Sequence, residues 1–148
     1  MSVAQYFLDA NFLIALTDAS DLHHARATKL LQQITATEAE LFLSDIAVNE
    51  TLSVLARRHE SKKSKTPFKT VVDRFKNAIA KSPILSLYEL VPQNYALLMA
   101  MMVKYDAKLS FHDCLIVLFL RQVPEVQLVS FDRDFAAVRK LKLLPDTK

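Results

Sequence analysis

At 148 residues, with 51% apolar and 24% charged side chains, the chain is long enough to bury a core, and one α/β domain over residues 1–148 is expected. It contains no glycine and one cysteine, which excludes a P-loop, a glycine-rich dinucleotide fingerprint, an intrachain disulfide and a cysteine zinc site. A formal net charge of +3 permits a polyanionic partner without demanding one.

No basic leader precedes the first apolar run, and no run approaches the roughly 20 residues that a membrane span needs. A soluble cytoplasmic protein without a membrane partner is expected. In that first run, Ala4, Tyr6, Phe7 and Leu8 lead without polar alternation into Asp9. A strand covered on both faces reads this way. Asp9, with Asn11 two residues on, then falls beyond a strand tip, where open α/β sheets bind ligands. Asp9 or Asn11 is equally placed to cap a helix over residues 12–17.

Residues 21–34 predict a helix with a core stripe of Ala25, Ala27, Leu30, Leu31 and Ile34. His23 and His24, in its first turn, lack a partner one turn away and read as surface or capping residues. Leu41-Phe42-Leu43 predicts a second strand, and Ser44 or Asp45 caps a helix running to about Arg58. Ile46, Glu50 and Val54 share one stripe of that helix, so Glu50 is expected to face inward. Burying a carboxylate without a partner is costly, which marks Glu50 as a functional candidate. The bland alternative is a rim position whose carboxylate reaches water.

Arg57, Arg58, Lys62, Lys63 and Lys65, followed by Lys69, form a basic stretch. It reads either as solvated surface or as a sequence-independent contact with a phosphate backbone. No aromatics are interleaved, so base stacking is not indicated. Pro67 then opens a helix with Val71, Val72, Phe75, Ala78 and Ile79 on its apolar face, ending near Pro83. Residues 84–90 predict a third strand, and Pro92 starts a helix to about Tyr105. Leu97, Leu98, Met99, Met101, Met102 and Val103 wrap around that helix, which predicts either deep burial or a homodimer interface.

Ser110 is a good N-cap for a helix to about Gln122. Asp113 suits the dipole of its first turn, yet shares a stripe with Ile116, Val117 and Leu120. His112 points elsewhere, and Cys114 reads as a small buried hydrophobe. Residues 126–131 predict a fourth strand ending, like the first, in an aspartate, here Asp132. A short helix over 134–141 and an edge strand over 141–144 are expected to follow.

Strands and helices alternate throughout, which predicts a mostly parallel central sheet with helices on both faces. Strand tips and the starts of the following helices then share one edge, so Asp9, Glu50, Asp113 and Asp132 are expected to meet in one crevice. Like charges about 4 Å apart repel by roughly 4 kcal/mol at an effective dielectric near 20. Such a cluster must either hold protons or bind cations. Carboxylates without nitrogen or sulfur donors favour Mg²⁺ or Mn²⁺.

The ordered set Phe7-Leu8-Asp9-Ala10-Asn11, Asn49-Glu50, Leu109-Ser110-Phe111-His112-Asp113 and Val129-Ser130-Phe131-Asp132-Arg133-Asp134-Phe135 resembles the PIN-domain ribonucleases, and among them the VapC-like toxins of toxin–antitoxin pairs. His23-His24-Ala25-Arg26-Ala27 adds to the likeness. The resemblance implies a parallel sheet flanked by helices and an Mg²⁺- or Mn²⁺-dependent endoribonuclease acting on RNA. It also implies a cognate antitoxin protein. It carries catalytic and metal-ligand roles to Asp9, Glu50, Asp113 and Asp132, with Asn11 and Ser130 as polar supports. Asp134 matches a position that is acidic or amide-bearing in many members. The absence of glycine departs from the family but touches none of these positions. A non-catalytic RNA- or protein-binding module is the alternative. A haloacid-dehalogenase-like phosphatase is disfavoured, because position 11 is Asn where that motif needs a second Asp.

Overall fold

A computed structural model describes residues 3–146. In chain order they form β1 (Gln5–Leu8), α1 (Ala10–Thr17), α2 (His24–Thr35), β2 (Glu40–Ser44), α3 (Asp45–Ser61), α4 (Phe68–Ile79), β3 (Ile84–Leu85), α5 (Val91–Lys104), α6 (Phe111–Leu120), β4 (Gln127–Val129) and β5 (Leu143–Leu144). Short 3-10 turns occupy Tyr88–Leu90 and Arg133–Ala137. The strands make one sheet in the order β3-β2-β1-β4-β5, and every pairing is parallel. In the centre Tyr6 of β1 is in register with Leu41 of β2 on one side and Gln127 of β4 on the other.

The chain winds outward from β1 to β3, then crosses to the other side for β4 and β5. The strand order therefore reverses between β1 and β4. Beyond the carboxyl ends of these two strands the loops diverge to opposite sides, which opens the crevice where such sheets bind ligands.

Alternating side chains cover the sheet from both sides. Phe7 and Leu128 point into a cluster with Leu98 and Met101 of α5 and Leu115 of α6. Their neighbours Leu8 and Val129 point the opposite way, onto α1, α2 and Phe75 of α4. α3 serves both sides, with Ile46 in the first cluster and Ala47 in the second. The predicted α/β architecture, with a parallel sheet between helices, is what is observed.

Several predicted elements are shorter than expected, among them the fourth strand, which spans only Gln127–Val129, and the edge strand, only Leu143–Leu144. Only Ile84–Leu85 of the third strand pairs with the sheet. The Asp45 carboxylate, at the start of α3, accepts from the Leu87 backbone N–H at 3.0 Å and the Ser86 hydroxyl at 3.1 Å. Those bonds divert the chain into the 3-10 turn. Over 134–141, only the 3-10 turn Arg133–Ala137 forms, and Lys140 then takes a φ of 65°.

α5 is not buried all round. Leu98 and Met101 are buried, whereas Tyr95, Leu97, Met99 and Val103 are exposed. No described helix is long and apolar enough to cross a membrane.

Candidate active site

Asp9 leaves β1 in an extended conformation and N-caps α1, so its carboxylate stands at the point where the strand order reverses. One oxygen accepts the Ala10 N–H at 2.8 Å, and the other accepts the Ser130 hydroxyl at 2.7 Å. Ser130 sits just past β4 and is buried, as Asp9 is. Its Oγ donates to Asp9 and accepts the Asp132 N–H at 3.0 Å and the Asn11 Nδ2 at 3.1 Å. The Asn11 Oδ1 accepts the Phe131 N–H at 3.0 Å. One hydroxyl and one amide thus tie the end of β1 to the end of β4.

The other acidic groups arrive by local rules of helix starts. Ser110 N-caps α6, and its side chain accepts the Asp113 N–H at 3.2 Å. An Asp113 oxygen returns the bond to the Ser110 N–H at 2.7 Å, closing a capping box. Asp132 N-caps the second 3-10 turn, accepting the Asp134 N–H at 2.8 Å. Each of these two aspartates takes a cap with one oxygen only, so capping and convergence are compatible roles for the same side chain. Glu50, in the second turn of α3, is exposed. That corrects the expectation of an inward-facing Glu50: it stands on the rim and reaches water.

The acids sense one another. Burial pushes the Asp9 carboxyl up to about 7 against the pull of its two hydrogen bonds, and the charges of Asp113 and Glu50 add to the rise. Glu50 is also raised, by desolvation first and then by Asp113 and Asp132, with His112 and Arg57 opposing. Asp132 is raised by desolvation, by Asp134 and by Asp113. Among the described residues none of the four pairs with a lysine or arginine; the ion pairs lie elsewhere.

No three His, Cys, Asp or Glu groups among the described residues are already gathered as a ligand set. What fits a hard divalent cation is the donor chemistry: oxygen donors alone, with Asp9, Glu50 and Asp132 in surroundings that disfavour their ionisation. The residues that could hold such an ion are Asp9, Asp113 and Asp132, with the exposed Glu50 beside them.

The basic stretch divides. Arg58 donates to Asp18 at 2.9 Å and to Asp21 at 2.7 Å, and Lys62 approaches Asp18 at 3.4 Å and also meets Ser20. These two cations lock the end of α3 to the loop after α1, and both aspartates are held below the usual carboxylate range. Hydrogen bonds to Ser20 and Arg58 outweigh burial for Asp18, and those to His23 and Arg58 outweigh it for Asp21. Lys63 and Lys65 are exposed, and Arg57 lies close enough to Glu50 to act on it.

Sequence reasoning missed the flanks of the crevice. On one side His112 meets Tyr88, Nε2 to hydroxyl, at 3.4 Å, and its charge opposes the rise at Glu50. On the other, Arg26 and Arg133 line a concavity that includes Asp132. The Tyr88 contact carries no sequence signal, because it depends on the turn that Asp45 imposes. His23 stacks on Phe131 at 4.8 Å, and His24 Nδ1 meets the Ala15 carbonyl at 2.7 Å, so both histidines are structural. A concavity of about 540 Å³ lies at the opposite end of the sheet, between Glu40–Phe42 and Lys81–Pro83, far from the acids.

The family model described as the PIN domain matches residues 6–141. No curated protein matches the chain. Among solved structures it is similar to VapC20 of Mycobacterium tuberculosis, described as a sarcin-ricin loop cleaving toxin, with a TM-score of 0.67 at 20% identity over 90% of this chain and 94% of that one. VapBC2 of Rickettsia felis, bound to a DNA fragment from its promoter, aligns with a TM-score of 0.63 at 16% identity, covering 93% and 96%. The DNA-bound VapBC of Salmonella typhimurium aligns at 0.62 and 14% identity, covering 95% and 97%. At these identities the solved structures speak for the fold.

Proposed function

Because the chain belongs to the PIN-domain family, we propose that it is a divalent-metal-dependent endoribonuclease, the toxin of a type II toxin–antitoxin pair. One observation carries the reading: four carboxylates have no ion-pair partner among the described residues, and the charge of Asp113 helps raise the proton affinity of Asp9, Glu50 and Asp132 near the reversal point of the sheet. Such an arrangement is costly to a fold and is explained by a cation that binds it. The structural likeness to VapC and VapBC proteins supports the toxin role and an antitoxin partner.

In this reading Asp9, Asp113 and Asp132 hold Mg²⁺ or Mn²⁺, and Asp134 is a further candidate two residues beyond Asp132. A divalent ion held by these carboxylates would supply a more acidic water and positive charge for the phosphodiester. Glu50, on the rim, accepts a proton from the attacking water or orients it. Ser130 and Asn11 fix Asp9 and keep it from turning away. Arg57, Lys63 and Lys65 are the members of the basic stretch left to meet the RNA backbone; Arg58 and Lys62 hold the fold. The exposed apolar side of α5 is the candidate homodimer face. The whole reading places the protein in the cytoplasm with its RNA.

The test is cleavage of defined RNAs with and without Mn²⁺. The wild-type chain cleaves only with the ion, and Asp9→Asn and Asp113→Asn each lose cleavage while keeping their circular dichroism spectrum. Metal-independent binding of RNA without any cleavage would instead favour the non-catalytic binding module.

A further inference from the structure

Beside the acidic crevice, on the β5 side of the sheet, lies a concavity of about 320 Å³ that the reaction above leaves unused. Its walls include Ser130 and Asp132, which belong to the crevice as well, so the two spaces share a wall. The rest of the lining includes Arg26 from α2, Arg133 from the 3-10 turn, and Asp146.

Arg26 is held by stacking and not by a carboxylate. Its guanidinium carbon lies 5.3 Å from the centre of the Phe131 ring, and His23 stacks on the same ring at 4.8 Å. Phe131 is itself anchored, because its N–H is bonded to Asn11. Neither Arg26 nor Arg133 belongs to an ion pair among the described residues. A guanidinium oriented by an aromatic face keeps its fork of donors for an oxyanion. The contrast is the cavity of about 250 Å³ at the far end of α3, where Arg58 and Lys62 are already taken by Asp18.

We infer that this second concavity is a phosphate subsite, in which Arg26 and Arg133 hold the RNA backbone phosphate next to the one presented to the acidic crevice. The inference rests on the nuclease reading. Its physical content is that the crevice alone is anionic and repels a polyanion, whereas two arginines with no ion-pair partner among the described residues supply the opposite charge one wall away. Holding a neighbouring phosphate fixes how far the strand slides and therefore which bond meets the acids. Asp146 opposes the two arginines, so it tempers the affinity of the subsite.

The experiment uses the full chain and a fluorescein-labelled single-stranded RNA that the wild type cleaves. Arg26→Ala and Arg133→Ala each weaken RNA binding without added metal by about tenfold, and flatten its salt dependence by roughly one counterion. In Mn²⁺ they raise KM with little change in kcat, and Asp146→Asn tightens binding. A series of RNAs carrying one uncharged methylphosphonate at successive positions adds a positional readout. Wild-type binding drops when the phosphate beside the scissile one is neutralised, and the Arg26→Ala/Arg133→Ala variant is indifferent to that change. Folding is checked by thermal melts, and Arg26→Lys with Arg133→Lys serves as the milder pair. If the wild type cleaves RNA but the arginine variants keep its KM, its salt slope and its methylphosphonate pattern, the subsite is refuted and the nuclease reading stands. If the wild type cleaves no RNA with Mn²⁺, both fall together.

Discussion

Ser130 gives its hydroxyl proton to Asp9 across 2.7 Å, although 121 residues separate the two along the chain. That bond is one of two pulling the Asp9 pKa down against burial, and the same oxygen accepts from Asp132 and Asn11. Ser130 therefore keeps Asp9 ionisable near neutral pH while joining the two halves of the sheet edge.

Replacing Ser130 by Ala removes the stabilising bond to the ionised Asp9 and raises its pKa further. The expected result is an acidic limb of the pH–rate profile moved to higher pH, with weaker Mn²⁺ binding. The Asp132 N–H and the Asn11 amide also lose their acceptor, which costs about 1–3 kcal/mol of stability. An unchanged pH profile in Ser130→Ala would show that the hydroxyl only serves packing.

Asp9 also makes the stability of the metal-free protein depend on pH. Its pKa is near 4 in the unfolded chain and about 7 in the fold, so the native state binds more protons between these values. The contribution of Asp9 is therefore most favourable below about pH 4 and declines as pH rises through about 7. Asp9→Asn removes this decline. Urea melts of the metal-free protein at several pH values between 5 and 8 should show a flatter dependence for the variant, and a higher midpoint for it at pH 8.

A cation that binds the ionised acids reverses that loss. At a hundred times its dissociation constant, an ion that binds only the native state adds about 2.7 kcal/mol. At this chain length that is a melting shift of roughly 5–10 °C. The wild type is expected to show such a shift with Mn²⁺ or Mg²⁺, reversed by EDTA. Asp113→Asn and Asp132→Asn should each shrink it, and Glu50→Gln should shrink it less because Glu50 stands on the rim. No shift with either ion would leave the acidic crevice without a function in metal binding.

How far these relationships were legible in the sequence depends on their range. The parallel strand β1 and the placement of Asp9 follow from an apolar run ending in an acid, because a strand buried on both faces has no room for polar alternation. The Ser110 cap is equally local. The third strand was overextended because its end is set by the Asp45 carboxylate, 42 residues from Leu87, and no local pattern encodes that bond. Glu50 was misplaced inward because one face of a helix can open onto a groove that water fills. The supporting roles of Asn11 and Ser130 came only through the family resemblance, and their reciprocal bonding needed the sheet to bring β1 beside β4. The basic stretch looked uniform in sequence, yet the folded loop after α1 offers its two aspartates to Arg58 alone among the arginines.

That division is testable. Arg58→Ala breaks two ion pairs in which the arginine is 38% exposed and the aspartates 15% and 12%, and partly exposed pairs are worth roughly 0.2–1 kcal/mol each. The expected loss is about 0.4–2 kcal/mol at neutral pH. Because Asp18 and Asp21 are held below their ordinary range, the stability they add is present above about pH 4 and fades as pH falls further. RNA affinity should be unaffected. Arg57→Ala is expected to do the opposite, leaving the melting temperature unchanged and weakening RNA binding. If Arg58→Ala weakens RNA binding as much as Arg57→Ala does, the division of the stretch is wrong.

A chain without glycine must still make its turns, and this one does so with side chains in the left-handed region. After α5, Asp106 and Ala107 take φ values of 51° and 57°, and the Ala107 N–H returns to the Met102 carbonyl at 3.0 Å. That is the reversal with which helices commonly end, and glycine normally fills it, because a Cβ there crowds the following carbonyl at about 1–2 kcal/mol. Ala107→Gly relieves that crowding and loses part of the gain to the greater freedom of the unfolded chain. A net stabilisation of about 0.5–1 kcal/mol is expected, seen as a melting temperature higher by roughly 2–4 °C. Ala100→Gly, at an exposed position within α5, makes the same chemical change where φ is helical and should cost about 1 kcal/mol. Opposite signs for the two substitutions would place the difference in backbone conformation, since the side chain removed is identical; equal losses would mean that the turn after α5 carries no strain.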